Sequence, residues 1–228
     1  MQNNQELMQS SSGINFHKYM CGRFALANPT PTFGPHDISM LSKLPPRFNI
    51  APSTEIFFLA KSSLSIHIDK RPWGFTLKPK NSPLQYVINA KSETVHEKKM
   101  FQQMFFSSRC IVLATGFFEW DSHKQPHYFF SSSSPVLGLA GIYHSEVAIL
   151  TTMANETVSP VHSRMPVLIH PLDLEAWLDT KTSITDLQNI MTPTSFSLLS
   201  NYPVSHKINS PKNNFSSLIE PIQKSPLF

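Results

Sequence analysis

The sequence predicts a strand-rich α+β chain with a few short helices, on three observations. Seventeen Phe and nineteen Pro stand against only seven Gly, a balance that favours β-strands and irregular connections over helical bundles. Short apolar runs recur along the chain, and one of them, Leu64–Asp69, alternates with the period-two pattern of a half-buried strand. Helical spacing of apolar residues is confined to four short windows.

The bulk properties narrow the class further. At 228 residues with 40% hydrophobic content, the chain can bury a sizeable core as one large domain or two small ones. Two cysteines are too few for a disulfide framework and point to a reducing compartment. No run approaches the ~18 apolar residues of a membrane helix, and residues 1–19 lack the apolar region of a secretory signal. A net charge of +4 favours an anionic partner, and nucleic acid fits it. There is no internal repeat, Gly-rich phosphate loop or metal-ligand spacing, so neither a metal nor a cofactor is expected.

Taken in order, residues 1–19 are rich in Gln, Asn and Ser and read as a disordered leader, cut away or preceding a true start at Met20. Cys21–Ala27 alternates weakly as a strand. Ile38, Met40, Leu41 and Leu44 have helical spacing behind Asp37 as N-cap, with Pro45-Pro46 as terminator. Arg47–Ser53 is extended, and Thr54–Ala60 with Leu64–Asp69 forms a hairpin that leaves His67 on the solvent side. Tyr86–Ala90 is one apolar run that delivers Asn89 and Lys91 at its end. Thr94 and Glu97 have capping-box spacing and predict a helix from Thr94, with Met100, Phe101, Met104 and Phe105 on its apolar face.

Arg109–Thr115 is a wholly apolar strand, which assigns Cys110 to the core. His127–Ser131, Val136–Tyr143 and Val147–Thr152 follow as strands, and Ala154–Val161 as a loop. Pro171 opens a helix to Leu178, Ser183–Met191 is another, and Tyr202–Asn209 reads as a last strand.

Three segments carry chemistry. Cys21 directly follows Met20, so methionine removal would leave it N-terminal, with an α-amine and a thiol on adjacent carbons. Such a residue can close a five-membered ring on an aldehyde, whereas an internal cysteine is usually a small buried hydrophobe. Glu119 sits among Phe117, Phe118 and Trp120, either exposed at a strand end or buried with a raised pKa, the condition that marks functional sites. His162 lies in a loop whose Pro166 excludes a helix, and alone it is an ordinary exposed histidine.

Together, five segments in order resemble the SRAP family, named SOS response-associated peptidases. They are Cys21-Gly22-Arg23-Phe24, Arg47-Phe48-Asn49-Ile50-Ala51-Pro52, Asn89-Ala90-Lys91-Ser92-Glu93-Thr94, Gly116-Phe117-Phe118-Glu119-Trp120 and His162-Ser163-Arg164-Met165-Pro166. The similarity spans residues 20–221, leaving 222–228 as a tail. It implies a single domain whose twisted, mostly antiparallel sheet curls into an open barrel with flanking helices. It also implies an abasic-site sensor for single-stranded DNA in the DNA damage response. Cys21 would bond covalently to the ring-opened sugar as a thiazolidine.

On this resemblance Glu119 shuttles protons, His162 hydrogen-bonds the sugar oxygen or assists proton transfer, and Asn89 orients the sugar. Arg23, Lys91 and Arg164 are expected to meet phosphates, and Pro52 to wedge against a base. Lys91 stands where the family usually has arginine, and the loop Leu77–Pro83 lacks a tryptophan that the family often carries. The resemblance further implies a monomer with no membrane partner, cytoplasmic and nucleoid-associated or, in a eukaryote, nuclear. Two other functions use the same residues: a cysteine autopeptidase or hydrolase built on Cys21, Glu119 and His162, and a noncovalent single-strand DNA-binding module with an inert Cys21.

Overall fold

The computed structural model describes residues 21–63, 65–78, 85–193 and 199–222; the expected leader, most of the loop lacking the tryptophan and nearly all of the tail lie outside them. The chain opens with β1 (Arg23–Leu26), a two-residue hairpin β2 (Thr32–Phe33) and β3 (His36–Asp37), the turn of helix α1 (Ser39–Ser42) and β4 (Arg47–Ile50). The long hairpin β5 (Glu55–Lys61) and β6 (Ile66–Pro72) follows, then β7 (Phe75–Leu77), β8 (Gln85–Val87) and β9 (Asn89–Lys91). Helix α2 (Lys99–Ser107) precedes five strands: β10 (Arg109–Ala114), β11 (Gly116–Trp120), β12 (Pro126–Ser131), β13 (Leu137–Tyr143) and β14 (Val147–Met153). The short strands β15 (Arg164–Pro166) and β16 (Leu168–Ile169), helices α3 (Leu174–Leu178) and α4 (Ile184–Met191), and β17 (Leu199–Pro203) complete it.

These elements form one mixed α and β domain built mainly on two sheets. One has five strands in the order β17-β12-β11-β1-β4, the other eight, with β15-β14-β13-β10-β5-β6 as its path and β16 and β9 attached to β13 and β14. Pairing is antiparallel except for β9 against β14 and a single bridge between Trp73 and Val147. The sheets are not closed into a barrel; the mostly antiparallel pairing expected from the sequence is there, divided chiefly between these two sheets. The physical reason lies at Thr115: β10 and β11 are almost contiguous, yet β10 pairs with β5 and β13 while β11 pairs with β1 and β12.

The core follows from composition. Strand β10 is buried at every position, which places Cys110 where expected, with its thiol pushed up by burial alone. Phe24, Phe117 and Phe129 line the inner face of the five-stranded sheet, the last two stacked 5.1 Å apart. Arg109 is buried too, donating to the carbonyls of Phe105, Trp177 and Asp179 and so tying α2 and α3 to β10.

Three elements depart from their predicted bounds. Helix α2 begins at Lys99, not near Thr94, and the capping box does not form. Ser92 N–H bonds to Thr151 O and Val95 is fully buried, so the segment is held as a turn against β14 before the helix can start. The apolar run Tyr86–Ala90 serves two sheets, β8 pairing with β7 and β9 with β14, with Ile88 O at the break accepting from Trp73 Nε1. Strand β17 ends at Pro203, and His206–Asn209 is a 3₁₀ turn capped by Ser205.

Asn49 locks that turn in place. Its buried Nδ2 donates to Ile208 O, Ser210 O and Asn213 O at 3.2, 2.9 and 3.0 Å. Asn49→Ala would strand three carbonyls near the end of the chain, at a cost of about 1–3 kcal/mol. A thermal melt of the variant should show a clear drop in Tm, whereas an unchanged Tm would mean that water replaces the amide without loss.

Candidate active site at the junction of the two sheets

Register brings the first two site residues together. Strand β1 pairs antiparallel with β11 through Arg23 opposite Phe118 and Phe24 opposite Phe117. Continuing that register by one residue puts Gly22 opposite Glu119 and carries Cys21 to the Glu119 carboxylate. The backbone nitrogen of Cys21 donates to Glu119 Oε1 at 2.8 Å. Both residues are buried, at 3% and 2% exposure, and Cys21 has a left-handed φ of 47°.

The site is electrostatically unusual. Burial pushes the Glu119 carboxyl up to about 7, against the opposing pull of His162 and of hydrogen bonds from Cys21. Glu119 is therefore poised between acid and base near neutral pH. The Cys21 thiol is raised well above its usual range, first by burial and then by the neighbouring Glu119 charge, while Arg164 works in the other direction.

The eight-stranded sheet supplies the other wall. His162 Nδ1 lies 4.0 Å from Glu119 Oε2. The same nitrogen is 3.2 Å from Arg164 N and 3.1 Å from Arg164 O, so the Arg164 backbone meets the ring whether Nδ1 is bare or protonated. Asn89 and Lys91 sit on β9, opposite Ile149 and Thr151 of β14; Asn89 is half-buried and Lys91 exposed.

Arg164 differs most from its sequence reading. Rather than projecting toward solvent, it is buried and forms a two-pronged pair with Glu93, Nη1 to Oε1 at 2.8 Å and Nη2 to Oε2 at 2.9 Å. Nη2 also donates to Thr151 O and Oγ1. Arg23 is buried as well, donating through Nη2 to Asn209 O at 3.3 Å, and burial lowers it to about 10, which leaves it cationic at neutral pH. Pro52 is buried at the end of β4 and presents no surface for a base in this conformation. Of the four residues expected on the DNA path, Lys91 is the exposed one.

Glu93 and Thr151, which fix Arg164, carry no sign of that role in their local sequence. Glu93 and Arg164 are 71 positions apart, and no local pattern announces such a pair. Asn209 was equally silent, yet it joins Trp120 Nε1 (2.9 Å to Oδ1) to Arg23 through its carbonyl. Among the described residues no group of three or more His, Cys, Asp or Glu is placed to hold a metal ion. Nor, among them, is any helix long and apolar enough to cross a membrane.

Residues 20–211 match the family described as SOS response associated peptidase (SRAP), and the chain belongs to that family. It is 32% identical over 223 residues to the abasic site processing protein YoqW of Bacillus subtilis, an alignment covering 88% of this chain and 99% of YoqW. It is 26% identical over 228 residues to the abasic site processing protein YedK of Escherichia coli, covering 89% and 100% of the two chains. A crystal structure of a protein from Bacteroides thetaiotaomicron shares the fold, with a TM-score of 0.74 at 19% identity over 89% of this chain and 100% of that one.

The buried acid predicts a signature in stability. A carboxyl with a folded-state pKa raised to about 7 favours folding fully below its unfolded value near 4.3. That stability is lost as pH rises from there through about 7, because the folded state must then carry a buried charge. Glu119→Gln removes this dependence, so the stability of the variant relative to the wild type should rise by about 3 kcal/mol between pH 4 and 8. Denaturant melts across that range read the difference, and a constant offset would place the Glu119 pKa in the ordinary carboxylate range.

Proposed function

We propose that this protein processes abasic sites in single-stranded DNA by forming a covalent thiazolidine through an N-terminal Cys21. The observation that carries this reading is the 2.8 Å hydrogen bond from the Cys21 nitrogen to the buried Glu119 carboxylate. The same carboxylate also meets the Cys21 thiol, so it faces both groups that a thiazolidine closure uses. A base at the nitrogen has a purpose when that nitrogen is an amine that must shed a proton. The names of the family relatives as abasic site processing proteins supply the substrate class.

In this scheme the α-amine of Cys21 attacks the C1′ aldehyde of the ring-opened sugar. The carbinolamine loses water to give an imine, with Glu119 moving the protons. The thiol then adds across the imine: sulfur bonds to C1′, and the thiol proton ends on nitrogen. The raised thiol pKa favours this order, since it leaves little thiolate to attack first. His162 serves the sugar oxygen or the leaving water, and Asn89 orients the sugar with its donor and acceptor. Lys91 meets a flanking phosphate from its exposed position, and Arg23 and Arg164 add positive potential from beneath the surface.

The amine exists only if Cys21 is the first residue, whether by initiation at Met20 with methionine removal or by cleavage of residues 1–19. Backbone geometry supports such processing. A φ of 47° at a non-glycine residue costs on the order of 1–3 kcal/mol, and a residue with no predecessor has no φ to strain.

The test is a denaturing gel of protein incubated with abasic single-stranded DNA. The wild type should give a shifted band whose intact mass starts at Cys21, and Cys21→Ala should give none. Undiminished crosslinking by the alanine variant, or an adduct still carrying Met1, would exclude the thiazolidine. In the same assay Glu119→Gln should slow crosslink formation by about 10²–10⁴-fold; an unchanged rate would leave Glu119 with a structural role only.

A further inference from the structure

A cleft of about 310 Å³ is joined to the Cys21 site through Glu119, His162, Arg164 and Glu93, each in contact with the next. From the sheet side it is lined by Glu93, Thr152 and Met153, and from the helix side by Gln188, Met191 and Pro193 at the end of α4. Arg164 links cleft and site. Its guanidinium holds both oxygens of Glu93 on the cleft side, while its charge acts on the Cys21 thiol on the other. Its Nη1 also lies 3.7 Å from Met153 Sδ, so the cleft wall and the reaction centre share one rigid residue.

The lining has the character of a base-reading pocket more than of a phosphate site. Its one charged lining group is a carboxylate already paired with Arg164, so the lining itself offers phosphate no cation. Each Glu93 oxygen spends one lone pair on Arg164 and keeps another, so the fixed carboxylate still accepts hydrogen bonds. Gln188 adds an amide from an exposed helix position. Met153, Met191 and Pro193 offer apolar faces, and thioethers pack well against aromatic rings. At this volume the cleft falls within the range of small-ligand pockets and has room for a single ring system.

We infer that this cleft receives the nucleobase next to the abasic site and prefers a base with an exocyclic amine, such as cytosine or adenine, to thymine. The amine donates to the Glu93 carboxylate, as acidic side chains accept from cytosine N4 elsewhere. Thymine lacks the amine, and its N3–H lies between two carbonyl oxygens that the negative charge repels. The neighbouring base falls here because Arg164 ties the cleft to the reaction centre, its backbone meeting the His162 ring and its guanidinium holding Glu93. The inference rests on the abasic-site reading and adds to it a dependence on flanking sequence.

The experiment measures crosslinking rates at subsaturating protein with short single-stranded oligonucleotides. Each carries one abasic site, flanked on either side in turn by cytosine, adenine, thymine or a tetrahydrofuran spacer. On one flank, cytosine or adenine should give rates about fivefold or more above thymine, the lower end of what one good base-edge contact discriminates. Gln188→Ala and Met153→Ala, the latter at a residue 56% exposed, should each shrink that ratio toward one. Equal wild-type rates for all flanks would overturn the inference while leaving the crosslink standing. A preference untouched by both variants would overturn the assignment to this cleft. No crosslink with any oligonucleotide would overturn the abasic-site reading itself, and this inference with it.

Discussion

The hydrogen bond between the Cys21 nitrogen and Glu119 is the contact on which the site depends, and it is costly to assemble. A carboxylate almost wholly removed from water is stable in its charged form only if donors and cations compensate the lost solvation. Here they do so in part: one backbone donor and a histidine at 4.0 Å leave the pKa near 7 instead of restoring it to its ordinary value. That incomplete compensation makes the group a usable proton carrier. It is enforced by the sheet itself, because Phe117, Phe118 and Tyr128 around it are buried in two separate apolar clusters that admit little water.

The two sheets divide the labour. The five-stranded sheet carries Glu119 on β11 and delivers Cys21 from just before its neighbour β1, where ladder hydrogen bonds fix the register. The eight-stranded sheet carries Asn89, Lys91 and Arg164 on β9 and β15, both paired with β14, and His162 lies in the loop just before β15. The Arg164–Glu93 pair stiffens that edge. A buried ion pair adds little net stability unless its remaining donors are satisfied. Thr151 satisfies two contacts of one guanidinium nitrogen, so the pair is better understood as a fixed scaffold than as a source of stability. It sets the position of the His162 ring through the Arg164 backbone, keeps a cation near the Cys21 thiol and forms the wall of the adjoining cleft.

Much of this was legible in the chain. Period-two and wholly apolar runs predict most of the long strands, since burial of one or both faces leaves its pattern in local composition. Glu119 stood out because an acid among three aromatics conflicts with its surroundings, and such conflicts concentrate at functional sites. The helix start was misplaced because Thr94 and Glu97 have the right spacing, but Val95 is drawn into the core and tertiary burial overrides a cap worth about 1 kcal/mol. The last strand was overextended past Pro203 for a related reason. Apolar residues such as Val204 and Ile208 are buried there in a 3₁₀ turn as fully as in a strand, and composition alone does not separate the two.

By itself, then, the sequence determined the strand-rich class, the buried place of Cys110 and, from five segments in order, the family. It singled out Cys21 and Glu119 as candidates by their immediate neighbours, and His162 only in the company of the other segments. Only the tertiary structure decided that the strands split into two sheets, that Arg164 and Arg23 are buried, and that Pro52 is covered. The same holds for Glu93, which lines a cleft while paired with Arg164. Those outcomes depend on contacts between residues tens to more than a hundred positions apart. The energy of such a contact is set by which surfaces the fold brings together, and no local pattern encodes that.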